Sequence, residues 1–458
     1  MITSIRRRLT IAAHDDRGMS LPEVLVAMVI FAIISSGLLY TMLSVLALGR
    51  DSRAREVALN LAAEEIDISR GFADVFALQD ATRSLDLNGD TFTIDRTTRW
   101  VSDPEIDLQC GSGGAPLRYK RVEVEVSWSN MRNDDATVRS YTVIDPKNRI
   151  NDPTKGTILV SVLGASGGGA SGVTVTAAPA SPANGATAVA EAPLPTDAEG
   201  CTYILKVTPG SYNVTVSRTG YVDVAQRSAP SITVGVGAGA AASVGFQYDE
   251  AATFTAQYAS NVTGPAPTIP NNMVTTFLSS YGAHQSTAGN DDMTREVALH
   301  PFAAGYEAVA GAYAAPNEAN QGCLAPDPAA WPSTNQAGVT YIGRRAQGAA
   351  AVPGGEADIE VPMGTFQLTV NGSNRWVRAT SLNTGPGPGC AIGMTYLFDR
   401  INSGTNRLAL PYGSWEIRTG NSSGSRNNVP GLGAIQAEGT ALLPALLGIV
   451  TLDPRVPE

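Results

Sequence analysis

Apolar positions along this chain follow three rhythms, and each predicts a different kind of element. From Val24 to Leu48 no residue is charged and nearly all are apolar. A helix through these 25 positions covers about 37 Å at about 1.5 Å per residue, enough to cross a bilayer with some tilt. From Gly49 to Arg70 the pattern turns amphipathic: Val57, Leu61 and Ile68 share one side, with Glu56, Asn60, Glu64 and Asp67 elsewhere. One continuous helix from Leu21 to Arg70, about 75 Å long, is therefore expected.

Beyond residue 84 the rhythm shortens to two, the period of a half-buried strand. Residues 84–145 suit an antiparallel sheet. Val122, Val124, Val126 and Trp128 alternate with Arg121, Glu123, Glu125 and Ser127, and Val138–Ile144 can pair with that strand. Asn88-Gly89 marks a tight hairpin. The segment Asp86-Leu87-Asn88-Gly89-Asp90 lacks the sixth-position glycine and twelfth-position glutamate of a calcium loop, so a turn is the reading.

After a linker-like Asn151-Asp152-Pro153-Thr154-Lys155-Gly156, short strands recur at the spacing of a β-sandwich. Six are expected: Thr157–Leu163, Val173–Ala177, Cys201–Val207, Tyr212–Arg218, Ile232–Val236 and Val244–Tyr248. One turn pattern appears three times: Pro209-Gly210-Ser211-Tyr212, Pro362-Met363-Gly364-Thr365-Phe366 and Pro411-Tyr412-Gly413-Ser414-Trp415. It suggests a reused hairpin whose aromatics, Tyr212, Phe366 and Trp415, anchor cores. Residues 251–458 are thus a further β-rich region with room for two small sandwiches. Leu442–Leu452, interrupted by Pro444 and Gly448, is too short to span a membrane and reads as a buried final strand.

Composition narrows the function classes. With 458 residues the chain exceeds one ordinary core, and 47 glycines, 28 prolines and only 16% charged residues favour strands and turns. The net charge is −10, and removal of residues 1–18 leaves 28 basic against 40 acidic residues, or −12. Such a chain gains little from phosphate contacts, which argues against nucleic acid as a partner. Cys110, Cys201, Cys323 and Cys390 form no C-x-x-C pair, and their even number favours disulfides over metal. Four cysteines allow three connectivities, and spacing does not choose among them. No catalytic, metal or cofactor constellation stands out. His284 and His300 have no ligand or base spacing, and the glycine clusters 164–172 and 235–239 lack the lysine of a phosphate loop.

The chemistry is concentrated before the apolar run. A secretory signal has an apolar core of about 7–15 residues and a small-residue cleavage site; this run is longer and no such site follows it. Glu23 sits at the edge of the run, where a carboxylate is costly and usually functional. Ser20-Leu21-Pro22-Glu23 also fits a capping box with proline in the first turn. The stretch Gly18-Met19-Ser20-Leu21-Pro22-Glu23-Val24-Leu25-Val26-Ala27 resembles the processing site of type IV prepilins and pseudopilins. The resemblance implies cleavage between Gly18 and Met19 by a membrane prepilin peptidase, N-methylation of Met19, and an assembly role for Glu23 opposite a neighbouring subunit's terminal amine. It also implies a helix packed on a small antiparallel sheet. The run Thr196-Asp197-Ala198-Glu199-Gly200-Cys201-Thr202-Tyr203 followed by Pro209–Val216 resembles carboxypeptidase-regulatory-like β-sandwiches. Related adhesin repeats carry Lys–Asn isopeptide bonds, for which only Lys206 and Asn213 are available, without an early-strand lysine.

The expected whole is an α+β chain. Residues 1–18 form a leader, 19–150 a pilin-like helix and sheet, 151–250 a β-sandwich and 251–458 a β-rich region. It reads as a non-enzymatic minor pilin held in the cytoplasmic membrane by one helix, leader inside and bulk outside. Its partners would be the peptidase and methylase, other pilins and a surface or host ligand. The alternative is a pseudopilin of a type II secretion system.

Overall fold

A computed structural model describes residues 21–72, 75, 78–103, 106–107, 110, 119–131, 137–144, 152–317, 321–438 and 448–458. The chain divides into two compact units: residues 1–99 with 119–146, and residues 100–118 with 147–458.

In the first unit, helix α1 spans Leu21–Gly71, within a residue of the expected ends. Its second half turns Ala54, Ala58, Leu61, Ala62, Glu65, Ile66 and Ser69 inward, a stripe with the spacing of one helix face. That stripe meets a sheet ordered β1 (Ala81–Leu87), β2 (Asp90–Asp103), β4 (Tyr119–Trp128), β5 (Val138–Ile144). Phe92, Ile94, Val122, Val124, Val126, Trp128 and Val138 complete the core. Alanine at 54, 58 and 62 lets backbone approach sheet. The β1–β2 hairpin closes through Asn88 and Gly89, with φ of 54° and 86° and Leu87 opposite Asp90. Two successive positive φ values are what a type I′ turn requires and what Asn-Gly supplies most readily. One inward position of β4 departs from the apolar alternation. Lys120 is buried, and its amine donates to the carbonyl of Leu78.

The second unit begins with the end of β2 and β3 (Ile106–Asp107). Two sheets then face each other across a shared core. One is ordered β10 (Tyr221–Asp223), β12 (Ala241–Glu250), β6 (Gly156–Leu163), β8 (Cys201–Val207). The other is β11 (Ser231–Val236), β9 (Gly210–Ser217), β7 (Thr174–Pro179). All six expected strands are present, with β10 in addition. The first and last long strands, β6 and β12, pair in parallel.

Residues 252–458 continue with β13 (Ala252–Tyr258) between β16 (Thr294–Leu299) and β20 (Glu356–Val361). A second sheet sets β14 (Val274–Leu278) between β15 (Ala283–Thr287) and β17 (Glu307–Ala310). A third sets β21 (Gly364–Val370) between β24 (Gly404–Leu410) and β26 (Ile435–Ala437). The fourth is ordered β23 (Thr395–Phe398), β22 (Trp376–Ser381), β25 (Gly413–Gly420), β27 (Ile449–Leu452). A small sheet joins β18 (Thr334–Gln336), β19 (Val339–Ile342) and β28 (Val456–Pro457). One buried cluster runs from Ala252 to Leu452. Within the segment 442–452, the described part is 448–452; Ile449–Leu452 is a strand with Val450 and Leu452 buried, but short β28 follows it. The rest of that segment lies outside the described residues.

The repeated Pro/Gly turn is not a hairpin. At each copy the two flanking strands belong to different sheets: β8 and β9, β20 and β21, β24 and β25. The turn carries the chain across the core. Its aromatic then points straight inward, and Tyr212, Phe366 and Trp415 are all fully buried. Tyr212 Oη donates to the Thr208 carbonyl at 2.8 Å, and Trp415 Nε1 donates to the Pro411 carbonyl at 2.8 Å. In both, the ring reaches back four residues and closes the corner, as buried Tyr and Trp need a partner for their polar atom. The glycine is required by space: a Cβ on Gly210 would lie 2.1 Å from Ala186 N, and one on Gly364 would lie 2.5 Å from Leu452 Cβ.

Candidate assembly site at the N-terminal helix

Helix α1 begins with Leu21 and Pro22, and Glu23 lies exposed in its first turn. Proline suits this place because its missing N–H would have no intrahelical partner. A carboxylate there also faces the positive end of the helix dipole. The expected cleavage pair, Gly18 and Met19, and the capping Ser20 lie outside the described residues.

From Val24 to Leu48 apolar side chains project on every side. An 18-residue window of this segment has the length and composition to cross a membrane, and none of it is buried. Phe31 is 73% exposed, Tyr40 73% and Leu38 66%. Two of the run's hydroxyls turn back to the helix: Ser36 Oγ donates to the Ala32 carbonyl and Thr41 Oγ1 to that of Leu38 at 2.8 Å. Such bonds within the helix lower the cost of a hydroxyl in lipid or against other apolar helices.

The change of surroundings falls at Arg50. Its Nη2 donates to Asp90 Oδ1 at 2.5 Å, and Asn130 Nδ2 donates to the same oxygen at 3.1 Å. Asp90 is 7% exposed, so this ion pair ties the hairpin to the helix where the apolar run ends. Beside it opens a cleft of about 680 Å³ lined by Val45, Leu46, Arg53, Val57, Leu87 and Phe92. A second tie lies one third of the helix further on. Buried Glu65 accepts from Arg96 Nη1 at 2.7 Å and from Arg83 Nε at 2.9 Å. Glu65 thus satisfies both carboxylate oxygens inside the sheet.

All four cysteines are bonded. Cys110 joins Cys201 with Cα atoms 5.1 Å apart, and Cys323 joins Cys390 at 3.9 Å. The bridges close 91 and 67 residues of chain. By loop-closure entropy, spans of that size are worth about 4–5 kcal/mol each. Trp100 packs edge-on to Tyr203 near the first bridge, with ring centres 6.0 Å apart.

His300 is buried, with Nδ1 3.2 Å from the Val222 carbonyl and its backbone N–H on Gln226 Oε1 at 2.7 Å. His284 is held below the usual histidine range by burial. Burial likewise pushes the Tyr306 and Tyr412 hydroxyls well above theirs. Lys206 is exposed, whereas Asn213 Oδ1 accepts from Thr233 Oγ1 at 2.7 Å. Among the described residues no group of three His, Cys, Asp or Glu is arranged to hold a metal.

Residues 14–39 match the prokaryotic N-terminal methylation motif. The match covers the stretch that carries Gly18, Met19 and Glu23 and the first 16 of the 25 positions in the apolar run. No curated protein sequence matches the chain. Among solved structures, the chain is similar to the Bacillus anthracis TIE protein (11% identity, 78% of this chain and 70% of that one, TM-score 0.19). It is also similar to a Streptococcal ancillary pilin (10% identity, 52% and 75% covered, TM-score 0.19). A third is BcpA, the major pilin subunit of Bacillus cereus (11% identity, 62% and 94% covered, TM-score 0.17). Likenesses at these TM-scores carry no weight for fold or function.

Proposed function

We propose that this chain is a minor subunit of a type IV pilus, cut between Gly18 and Met19, methylated on Met19 and assembled through Glu23. One observation carries the reading. The methylation motif at residues 14–39 leads into a 51-residue helix whose first half is apolar and exposed, while its second half is clamped to the protein's own sheet. An exposed apolar half-helix has two homes, the bilayer before assembly and a bundle of like helices after it. In the bundle the Glu23 carboxylate sits in apolar surroundings and takes the terminal amine of a neighbouring subunit. A wrong axial offset leaves both charges unpaired, so the pair selects register.

The division into leader 1–18, pilin-like 19–150, a carboxypeptidase-regulatory-like sandwich 151–250 and a β-rich 251–458 belongs to the same proposal. In it the leader stays in the cytoplasm and the bulk is outside, where two disulfides persist. The displayed β modules are too large for a subunit that paves a whole fibre, which favours a minor, initiating or capping position and a contact with a surface or host ligand.

Mass spectrometry of the mature N-terminus tests the reading. A chain starting at N-methyl-Met19 is expected; an intact residue 1, or a start beyond residue 48, overturns it. Glu23→Ala is expected to leave cleavage intact and lower incorporation into fibres about tenfold or more, the scale of an unpaired buried charge. Co-purification with a secretin and its secretion partners instead of a fibre would move the protein to the pseudopilins.

A further inference from the structure

Residues 251–458 contain ten arginines and no lysine. Several are fully paired: Arg345 bridges Asp327 at 2.7 Å and Glu307 at 2.6 Å, Arg407 meets Glu438 at 2.5 Å, and Arg455 meets Asp453 at 2.6 Å. Arg378 is different. It stands in the middle of β22 on the outer face of the β23–β22–β25–β27 sheet, half-buried and without an ion pair or hydrogen bond among the described residues. Its Nε is enclosed and has no acceptor.

The neighbours add positive charge. Arg418 lies directly opposite Arg378 in the ladder. Like charges so placed sit about 5 Å apart at Cβ and disfavour the pairing. Arg418 is partly satisfied by Glu416 at 2.6 Å and the Asn427 carbonyl at 3.3 Å. Arg426, nine-tenths buried, lies with its guanidinium 5.4 Å from the centre of the Trp376 ring. It donates to the carbonyls of Ser423 and Phe398, yet its Nε too is enclosed without an acceptor. Burial, and the charge of Arg378, hold the Arg426 pKa below the ordinary arginine value despite Asp399.

Three guanidinium groups thus crowd one sheet face of an acidic chain, with two enclosed N–H donors unmet. Buried donors without acceptors cost folding free energy, so each calls for a reason. No ligand reaches the enclosed Nε atoms themselves. The terminal Arg378 nitrogens are not enclosed and make no bond among the described residues, which leaves them to an oxyanion. Arginine forks match carboxylate and sulfate, and the interaction is stronger where water is partly excluded. We propose that this face binds the carboxylate or sulfate groups of an acidic polysaccharide, with Arg378 as the principal ligand. Hydroxyls line the same surroundings: Thr380 lies opposite Thr395 in the ladder, and Ser422, Ser423 and Ser425 are exposed on the loop that carries Arg426. A ligand presenting both oxyanions and hydroxyls fits this lining better than an isolated acidic side chain does. The face is open and sheet-like, which suits an extended polymer.

The site stands on the arginine geometry and is independent of cleavage and assembly, so its test separates the two readings. Full-length protein in detergent is titrated with polygalacturonate and with heparin, using dextran as the neutral control and polyglutamate as the protein-like one. Binding of one acidic polysaccharide that weakens with added salt is expected. Arg378→Gln should weaken it about ten- to a hundredfold, the range of a lost charge-assisted hydrogen bond. Arg378→Lys, which keeps the charge but loses the fork, should fall between. Arg344→Gln, at an exposed arginine elsewhere, should leave binding unchanged. Because Arg378 makes no bond within the fold, hydrogen-exchange protection of β22 should be retained in both Arg378 variants. Equal binding by wild type and Arg378→Gln, or no binding to either polyanion, overturns the proposal. Equal binding of polyglutamate overturns the polysaccharide assignment in favour of an acidic protein.

Discussion

The two halves of helix α1 are continuous in backbone and opposite in surroundings. Along Val24–Leu48 the apolar side chains are exposed; along Ala54–Ser69 one stripe is buried against the sheet and the outward positions are mostly polar, with Leu59 and Ile68 the large apolar exceptions. The composition of each half matches its setting. An all-round apolar helix needs an apolar medium on every side, whereas an amphipathic one needs a single partner face. The boundary is marked by an ion pair, Arg50 with Asp90, and not by a break in the helix. Changing the solvent of a helix does not require changing its backbone.

The largest effects should come from one charge placed in each half. Ala58→Asp buries a carboxylate at a fully enclosed position and should destabilise the first unit by about 3–5 kcal/mol, read as lost hydrogen-exchange protection of β4. Leu39→Asp, at a residue 61% exposed, should leave that protection within about 0.5 kcal/mol while lowering membrane partitioning. Equal effects on the sheet would erase the distinction between the halves.

Truncation gives a smaller, cleaner contrast. Leu61→Ala should cost about 2–3 kcal/mol of helix–sheet stability and Leu46→Ala, 61% exposed, almost none. Next in size is the boundary. Arg50→Gln leaves Asp90, 7% exposed, with Asn130 alone and should cost about 1–3 kcal/mol, with fraying of the β1–β2 hairpin as its signature.

The smallest effect is expected on the outer face of β4. The Thr137 hydroxyl, and then Arg139, outweigh burial and hold the Glu125 carboxyl below the usual glutamate value. A depressed carboxylate contributes stability that is present above its unfolded pKa and is lost as pH falls through the folded one. Protection of β4 should therefore slip slightly as pH drops below about 4.5, the ordinary glutamate range, and Glu125→Gln should flatten that slope. The group is partly exposed, and solvent screening keeps the effect small.

Much of the first unit was legible from local rules. Val122, Val124 and Val126 alternate because one face of a strand is buried, and Asn88-Gly89 turns because both residues tolerate positive φ. Lys120 broke the alternation without warning, since the Leu78 carbonyl that accepts from its amine comes from another part of the chain. In the second unit the strand positions were legible but their partners were not. The thrice-used Pro/Gly turn looks like a hairpin because its residues allow a sharp reversal. Whether the chain then pairs with the preceding strand or crosses to a facing sheet depends on which core receives Tyr212, Phe366 and Trp415. The motif, Gly18 with Glu23 before an apolar run, was legible in the sequence; the Arg50–Asp90 ion pair at the end of that run was not, because its two residues are far apart along the chain.

By itself the sequence determined where this helix starts and ends, which of its halves must avoid water, and that strands would follow. These follow from the spacing of apolar residues and from the φ preferences of glycine, asparagine and proline, properties of a few neighbours along the chain. Tertiary structure alone decided the connectivity of the cysteines, the parallel pairing of β6 with β12, the crossing at each Pro/Gly turn and the crowding of Arg378, Arg418 and Arg426. Each of those joins residues distant in sequence, and their energies depend on separations that no local pattern encodes.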